Sequence, residues 1–254
     1  VESENRLSEA LELCNGVRTF TKLWPRGELE TYASREDGRE AVYRSIWASL
    51  LALRRARLDC LLLHRASHMF AFNGWVWERL LEHLEDGTML SLGVSVQTPD
   101  ETLAALDCTD VSHIQMPFNI LDWRWRESGV IDRIQSRAHL TVHARSVFLQ
   151  GLLAADDASV WPQIDGVNAP DLIDFLNELA RQFERTSTAD LCLAYARGQG
   201  WIDGVVVGME TEDQLETNLR LSARPPLSAE DCAEIERRIP RLPAQLLNPA
   251  EWPK

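Results

Sequence analysis

Short β-branched or leucine-rich runs alternate along the chain with longer stretches whose apolar positions recur every three to four residues, the signature of strands and amphipathic helices in turn. Leu7, Ala10, Leu11 and Leu13 share one side of the stretch 4–13 and predict a helix, and 17–21 predicts a strand running into Lys22. A polar loop with Trp24, Pro25 and Gly27 follows, then Val42, Ile46, Leu50 and Leu53 line one face of a helix over 38–57. Further strands are expected at 58–63, 89–94, 111–115, 140–144 and 204–207. Between and after them the spacing predicts helices at 75–84, 100–106, 129–137, 170–183, 188–197, 212–221 and 229–238.

Strand and helix alternating this regularly imply a parallel sheet built from crossover units, either a doubly wound open sheet or a (β/α) barrel. A doubly wound dinucleotide fold needs GxGxxG after its first strand, and that motif is absent, so the barrel is preferred. A barrel of this kind has eight strands, two more than the pattern supplies. No linker or composition shift divides residues 1–254, which read as one domain with a proline-punctuated C-terminal extension over 224–254.

Charge narrows the partners. Lys and Arg number 26 against 39 Asp and Glu, a formal charge of −13, which repels nucleic-acid phosphates and anionic lipid. The apolar runs fall short of the roughly 18 residues a membrane span needs. A small-molecule partner is the expectation, with room for a homo-oligomer. Cys14, Cys60, Cys108, Cys192 and Cys232 are scattered, so they read as buried free thiols of a reducing cytoplasm with no metal framework. The first residue is Val1, with no signal peptide, which suggests a fragment.

A barrel carries its chemistry where the strands end. Lys22, His64, Ser95, Gln115, Arg145 with Ser146, and Gly208 with Glu210 stand there. Each has a plain alternative: a solvated lysine, a rim histidine, a serine that caps a turn, a glutamine that satisfies backbone groups. Their coincidence at successive strand ends is what counts.

The blocks TFTK ending at Lys22, LDCLLLH ending at His64, LGVS ending at Ser95, HIQMPFN with Gln115, HARSVFLQGLL and GVVVGMETEDQLETNL follow one another in the order and spacing of the aldo-keto reductases. The resemblance spans nearly the whole chain. It implies a (β/α)8 barrel whose first two strands are missing from this chain, and hydride transfer between a nicotinamide dinucleotide and a carbonyl or alcohol. Lys22 would be the lysine of a catalytic tetrad, lowering the pKa of a tyrosine proton donor, and His64 would orient the carbonyl oxygen. Ser95 and Gln115 would hold the carboxamide. Arg145, Ser146, Phe148 and Gln150 would run beneath the nicotinamide and along the pyrophosphate, and Gly208, Met209, Glu210, Gln214 and Asn218 would surround the adenosine. No metal is implied. The tetrad Asp and Tyr would precede the helix at 4–13, and neither Tyr32 nor Tyr43 stands in the right place to replace the tyrosine.

This sequence also departs from that pattern. Val96 follows Ser95 where many relatives have Asn, and Arg145 stands where an aromatic ring often stacks on the nicotinamide. A guanidinium plane can stack too, but its charge favours the reduced, neutral ring. Glu210 is near the place where phosphate-preferring relatives put a basic group, which favours NAD(H) over NADP(H). Rim residues His68, Phe70, Phe72, Trp75, Trp77, Trp123 and Trp125 suggest stacking on a sugar, though rings there can equally pack the loops. Two blocks are similar to reductases of bacterial sugar and surface-polysaccharide pathways, so a carbonyl or hydroxy sugar is the expected substrate. The alternatives are a non-catalytic, cofactor-binding regulatory protein on the same fold, and an aldolase-like barrel in which Lys22 forms a Schiff base.

Overall fold

The computed structural model describes residues 2–13, 16–23 and 34–253; Cys14, Tyr32 and the loop holding Trp24, Pro25 and Gly27 lie outside the described residues. Six parallel strands alternate with helices in the described residues, as the hydrophobic pattern requires. They form two compact units, one of Val1–Gln115 with Arg137–Thr141 and the other of Met116–Ser136 with Val142–Lys254.

The first unit runs α1 (Glu2–Leu13), β1 (Phe20–Lys22), α2 (Arg35–Leu53), β2 (Cys60–Leu63), α3 (Trp75–Glu85), β3 (Leu92–Ser95), α4 (Pro99–Leu106) and most of β4 (His113–Pro117). Its strands pair in chain order, with Lys22 opposite Leu62, Leu62 opposite Gly93 and Ser95 opposite Gln115. Neighbours in register share a face and residues two apart along a strand return to it, so Phe20, Lys22, Cys60, Leu62, Gly93, Ser95, His113 and Gln115 stand on one side. The other side carries Leu61, Leu63, Leu92, Val94 and Ile114, all fully buried, the aliphatic layer that an α/β fold covers with helices.

Local chemistry sets the helix limits. Ser34 accepts from the Asp37 amide to start α2, and Thr98 accepts from Glu101, with Pro99 in the first turn, to start α4. Helix α2 stops four residues earlier than its pattern suggests because Arg54 turns left-handed, with φ 52°, and donates its amide to Leu50 and Leu51. After β3, the guanidinium of Arg137 donates to the carbonyls of Leu106, Cys108, Thr109 and Val111 at 2.7–3.0 Å, closing the end of α4 and the loop into β4.

The second unit contains α5 (Arg124–Glu127), α6 (Val130–Gln135), β5 (Thr141–Arg145, past its first residue), α7 (Ala169–Gln182), α8 (Thr188–Gly198), β6 (Gly204–Val206), α9 (Glu212–Ser222) and α10 (Ala229–Arg238). His143 pairs with Gly204 and Arg145 with Val206. Gly204 carries no side chain because the His143 ring lies over it, about where a Cβ would sit 3.0 Å from Cδ2. The fully buried Tyr195 hydroxyl donates to Glu236 and accepts from Arg126, each at 2.9 Å, and so ties α8, α10 and α5 together. The segment after α10 docks by its leucines: Leu242, Leu246 and Leu247 are buried, Trp123 donates to the Leu242 carbonyl, and Arg124 donates to that of Leu247. Cys60, Cys192 and Cys232 are buried free thiols, whereas Cys108 is partly exposed because it sits in the loop after α4 rather than in a packed element.

No helix among the described residues is long and apolar enough to cross a membrane, and none of their His, Cys, Asp and Glu side chains group as a metal site.

Candidate active site

The strand ends of the first unit bring Lys22, Ser95 and Gln115 onto one face. β1 delivers Lys22 as its last residue, and Lys22 Nζ lies 3.1 Å from Ser95 Oγ, the last residue of β3. An ammonium has three donors and no acceptor, so Ser95 Oγ is the acceptor and its own proton is left to donate elsewhere. His64 follows β2 directly and is half-buried, in the bend that leaves the strand.

Gln115 stands opposite Ser95 and is 6 % exposed, yet no hydrogen bond among the described residues engages its side-chain amide. Its backbone is fixed, since its carbonyl accepts from the Val96 amide at 2.9 Å. An amide that no described residue engages is open to a ligand's polar group or to water. With the Ser95 hydroxyl able to donate, the two side chains offer donors and an acceptor at neighbouring strand ends.

The layer beneath is closed. His113 fills the space over Gly93, and its ring lies 5.1 Å from that of Phe20. Cys60 shares this face, and burial pushes its thiol up to about 11, so it stays neutral at physiological pH and offers no nucleophile.

In the second unit Arg145 ends β5 half-buried, and its Nη1 donates to Ser146 Oγ at 3.4 Å. The chain then turns sharply: Ser146, Leu149, Gln150 and Gly151 all have positive φ, and the Phe148 carbonyl accepts from both Gly151 and Leu153. Three non-glycine residues in that region cost on the order of 1 kcal/mol each, the kind of local strain that gathers at ligand sites. Phe148 is half-buried and Gln150 exposed.

After β6, Gly208, Met209, Glu210 and Gln214 are exposed and Asn218 is half-buried. Gln214 Oε1 accepts from the Glu210 amide at 2.6 Å, and Thr211 caps α9 by accepting from the Gln214 amide. Gln214 therefore braces the turn and keeps its NH2 to donate to a ligand. Glu210, Glu212 and Asp213 cluster at this helix start and surround it with negative charge.

The rim rings divide. His68 and Trp125 are fully buried and Trp77 nearly so, which withdraws them from any substrate surface; the Trp125 indole donates to Asp122. Phe72 is half-buried, with its ring against Gly38, where a Cβ would lie 2.7 Å away. Trp75 and Trp123 lie under Arg35 and Arg241, at 4.5 and 3.9 Å from guanidinium to ring centre. Phe70 remains the one exposed ring of the seven, at 56 %.

One signal for Lys22 lies in the composition. Lysine occurs only at Lys22 and Lys254, so every other one of the 26 basic side chains is an arginine.

The sequence matches the aldo/keto reductase family over residues 1–239. No curated protein sequence matches it significantly. Among solved structures, the aldo-keto reductase AKR11C1 from Bacillus halodurans superposes in its holo form with a TM-score of 0.70 at 20 % identity, covering 94 % of this chain and 78 % of that one. Its apo form gives 0.68 at 20 % identity, over 94 % and 87 %. The thermostable aldo-keto reductase Tm1743, solved with the inhibitor epalrestat, gives 0.70 at 18 % identity, over 93 % and 77 %. The fold is thus that of the aldo-keto reductase (β/α)8 barrel, and with more than nine-tenths of its sequence matched, the chain belongs to the aldo/keto reductase family.

Proposed function

We propose that this oxidoreductase reduces the carbonyl of a small polar substrate, a sugar by preference, with NADH as the favoured reductant. The observation that carries the reading is the cluster at the strand ends: a rare lysine against Ser95, with the Gln115 amide, which no described residue engages, at the neighbouring strand end. When bound, the nicotinamide supplies the hydride. Negative charge then builds on the carbonyl oxygen and must be stabilised and protonated.

Lys22 holds a fixed positive charge that lowers the pKa of a phenolic proton donor toward neutral pH. His64 donates to the carbonyl oxygen and fixes its direction. Ser95 and Gln115 bind the carboxamide, and Arg145, Ser146, Phe148 and Gln150 line the nicotinamide and pyrophosphate. Gly208, Met209, Glu210, Gln214 and Asn218 receive the adenosine. The negative cluster at the start of α9 disfavours a 2′-phosphate.

Fluorescence titration with NADH and NADPH tests the cofactor, and tighter binding of NADPH would refute the preference. A turnover screen of free and nucleotide-linked sugars, simple aldehydes and ketones tests the reaction. Cofactor binding without turnover across that panel would favour a regulatory protein on the same fold.

A further inference from the structure

We infer that Asn119 is a ligand-binding residue whose side-chain NH2 donates to an oxygen on the nicotinamide half of the cofactor. This rests on the reading that a nicotinamide dinucleotide binds beside Arg145.

Asn119 stands two residues past the end of β4 and is 1 % exposed, between Phe118 and Ile120, which are fully buried. Two bonds fix it. The Leu121 amide donates to Asn119 Oδ1 at 3.0 Å, and the Asp122 amide donates to the Asn119 carbonyl at 3.0 Å. A backbone N–H only donates, so the side-chain atom it meets is the oxygen, and the direction of the NH2 group is set by that bond. An asparagine that closes a turn on itself in this way has given up its rotamer freedom before any ligand arrives.

The turn leaves both N–H donors of the side chain unused. No hydrogen bond among the described residues engages Nδ2. The carboxylate of Asp122 is already filled: it accepts from Arg124 Nε at 2.8 Å, Arg124 Nη2 at 2.7 Å, Trp125 Nε1 at 2.9 Å and the Arg124 amide at 3.3 Å. Those bonds occupy the roughly four lone-pair sites that a carboxylate has. A buried amide donor left unmet is costly, so such groups meet an acceptor where one can reach them. Nδ2 is not one of the sealed, unsatisfied polar atoms of the structure, so it opens on a space that an acceptor can enter.

The neighbouring strand end indicates which acceptor. The Phe118 amide donates to the Arg145 carbonyl at 2.9 Å, so the segment that carries Asn119 runs beside the end of β5. There Arg145 is half-buried and the chain turns left-handed at Ser146. The nicotinamide half of the cofactor presents oxygens as acceptors, in its carboxamide, its ribose and its phosphate. A neutral NH2 supplies two donors to them, and its rigid turn means that little further ordering is required on binding.

The test uses 15N-labelled protein, in which the Asn119 Nδ2 signals are identified by their loss in Asn119→Ser. Serine keeps an oxygen to accept from the Leu121 amide but has no NH2; Asn119→Asp also keeps that acceptor and supplies the assignment should serine loosen the turn. On addition of NADH, one Nδ2 proton of the parent protein should move downfield and exchange more slowly with water. ADP, which lacks the nicotinamide half, should leave it unmoved. By calorimetry Asn119→Ser should bind NADH about tenfold more weakly and ADP as tightly as the parent does. Nδ2 protons indifferent to bound NADH, an equal response to ADP, or an unchanged NADH affinity in Asn119→Ser would overturn the proposal and leave the cofactor reading intact. If the parent protein binds no NADH, the cofactor reading itself fails, and the proposal with it.

Discussion

Gly93 and His113 face each other across the β3–β4 ladder so closely that a Cβ on Gly93 would lie 2.2 Å from the His113 carbonyl oxygen and 2.6 Å from its Cβ. Backbone, unlike the tip of a side chain, cannot move aside. Gly93→Ala is therefore expected to spread the two strands and cost about 2–4 kcal/mol, read as a lower urea midpoint at unchanged slope. The same spreading would separate Ser95 from Gln115, one register pair further on, so NADH affinity should fall in whatever fraction stays folded.

Arg137 makes a second stability prediction. Its four carbonyl bonds need a planar fork, and an ammonium cannot reach all of them. Arg137→Lys should lose about 2–3 kcal/mol in urea unfolding despite keeping the charge. A loss under about 0.5 kcal/mol would mean that those carbonyls find water instead.

Burial pushes the thiol of Cys192 up to about 12 and that of Cys60 up to about 11. In the unfolded chain a thiol titrates near about 8.5. Between those values the folded protein holds protons that the unfolded chain has released, so stability is intact below about pH 8.5 and declines as pH rises toward 11 and 12. Urea midpoints measured from pH 7 to 10 should fall on the alkaline side, and Cys192→Ala should flatten the decline. At pH 8, iodoacetamide should spare Cys60 and Cys192 in the folded protein while modifying the partly exposed Cys108.

Arg145 gives a prediction about redox state. A guanidinium beside the nicotinamide would repel the positive ring of NAD+ and leave that of NADH untouched, by an amount on the order of 1 kcal/mol in a partly solvated site. Arg145→Gln should tighten NAD+ roughly fivefold relative to NADH, as measured by competitive fluorescence titration. An unchanged ratio would place the guanidinium away from the ring.

The sequence pattern located every strand of the described residues to within a few positions, because Leu61–Leu63, Val94 and Ile114 announce a buried layer whatever surrounds them. Helix ends were less legible. Arg54 adopts a left-handed turn that favours glycine, and nothing local to an arginine announces that. Helix α6 starts and ends inside its expected span, and Arg137, just beyond it, is recruited by carbonyls up to 31 positions away in sequence. The rim aromatics mislead for a related reason: a tryptophan's sequence neighbours do not say whether its N–H will meet solvent or, as with Trp125, the buried carboxylate of Asp122. The contact of Lys22 with Ser95, 73 residues apart, was likewise out of reach of any local pattern, although the scarcity of lysine was on view.

The alternation that sends Lys22, Ser95 and Gln115 to one face of the sheet also lays Leu62, Gly93 and His113 beneath them on that same face, where they are buried or in close contact. Only the last residue of each strand is therefore free to change without loosening the ladder. In a barrel so built, a homologue's altered chemistry should trace to the strand-end positions, and its altered melting behaviour to everything behind them on either face.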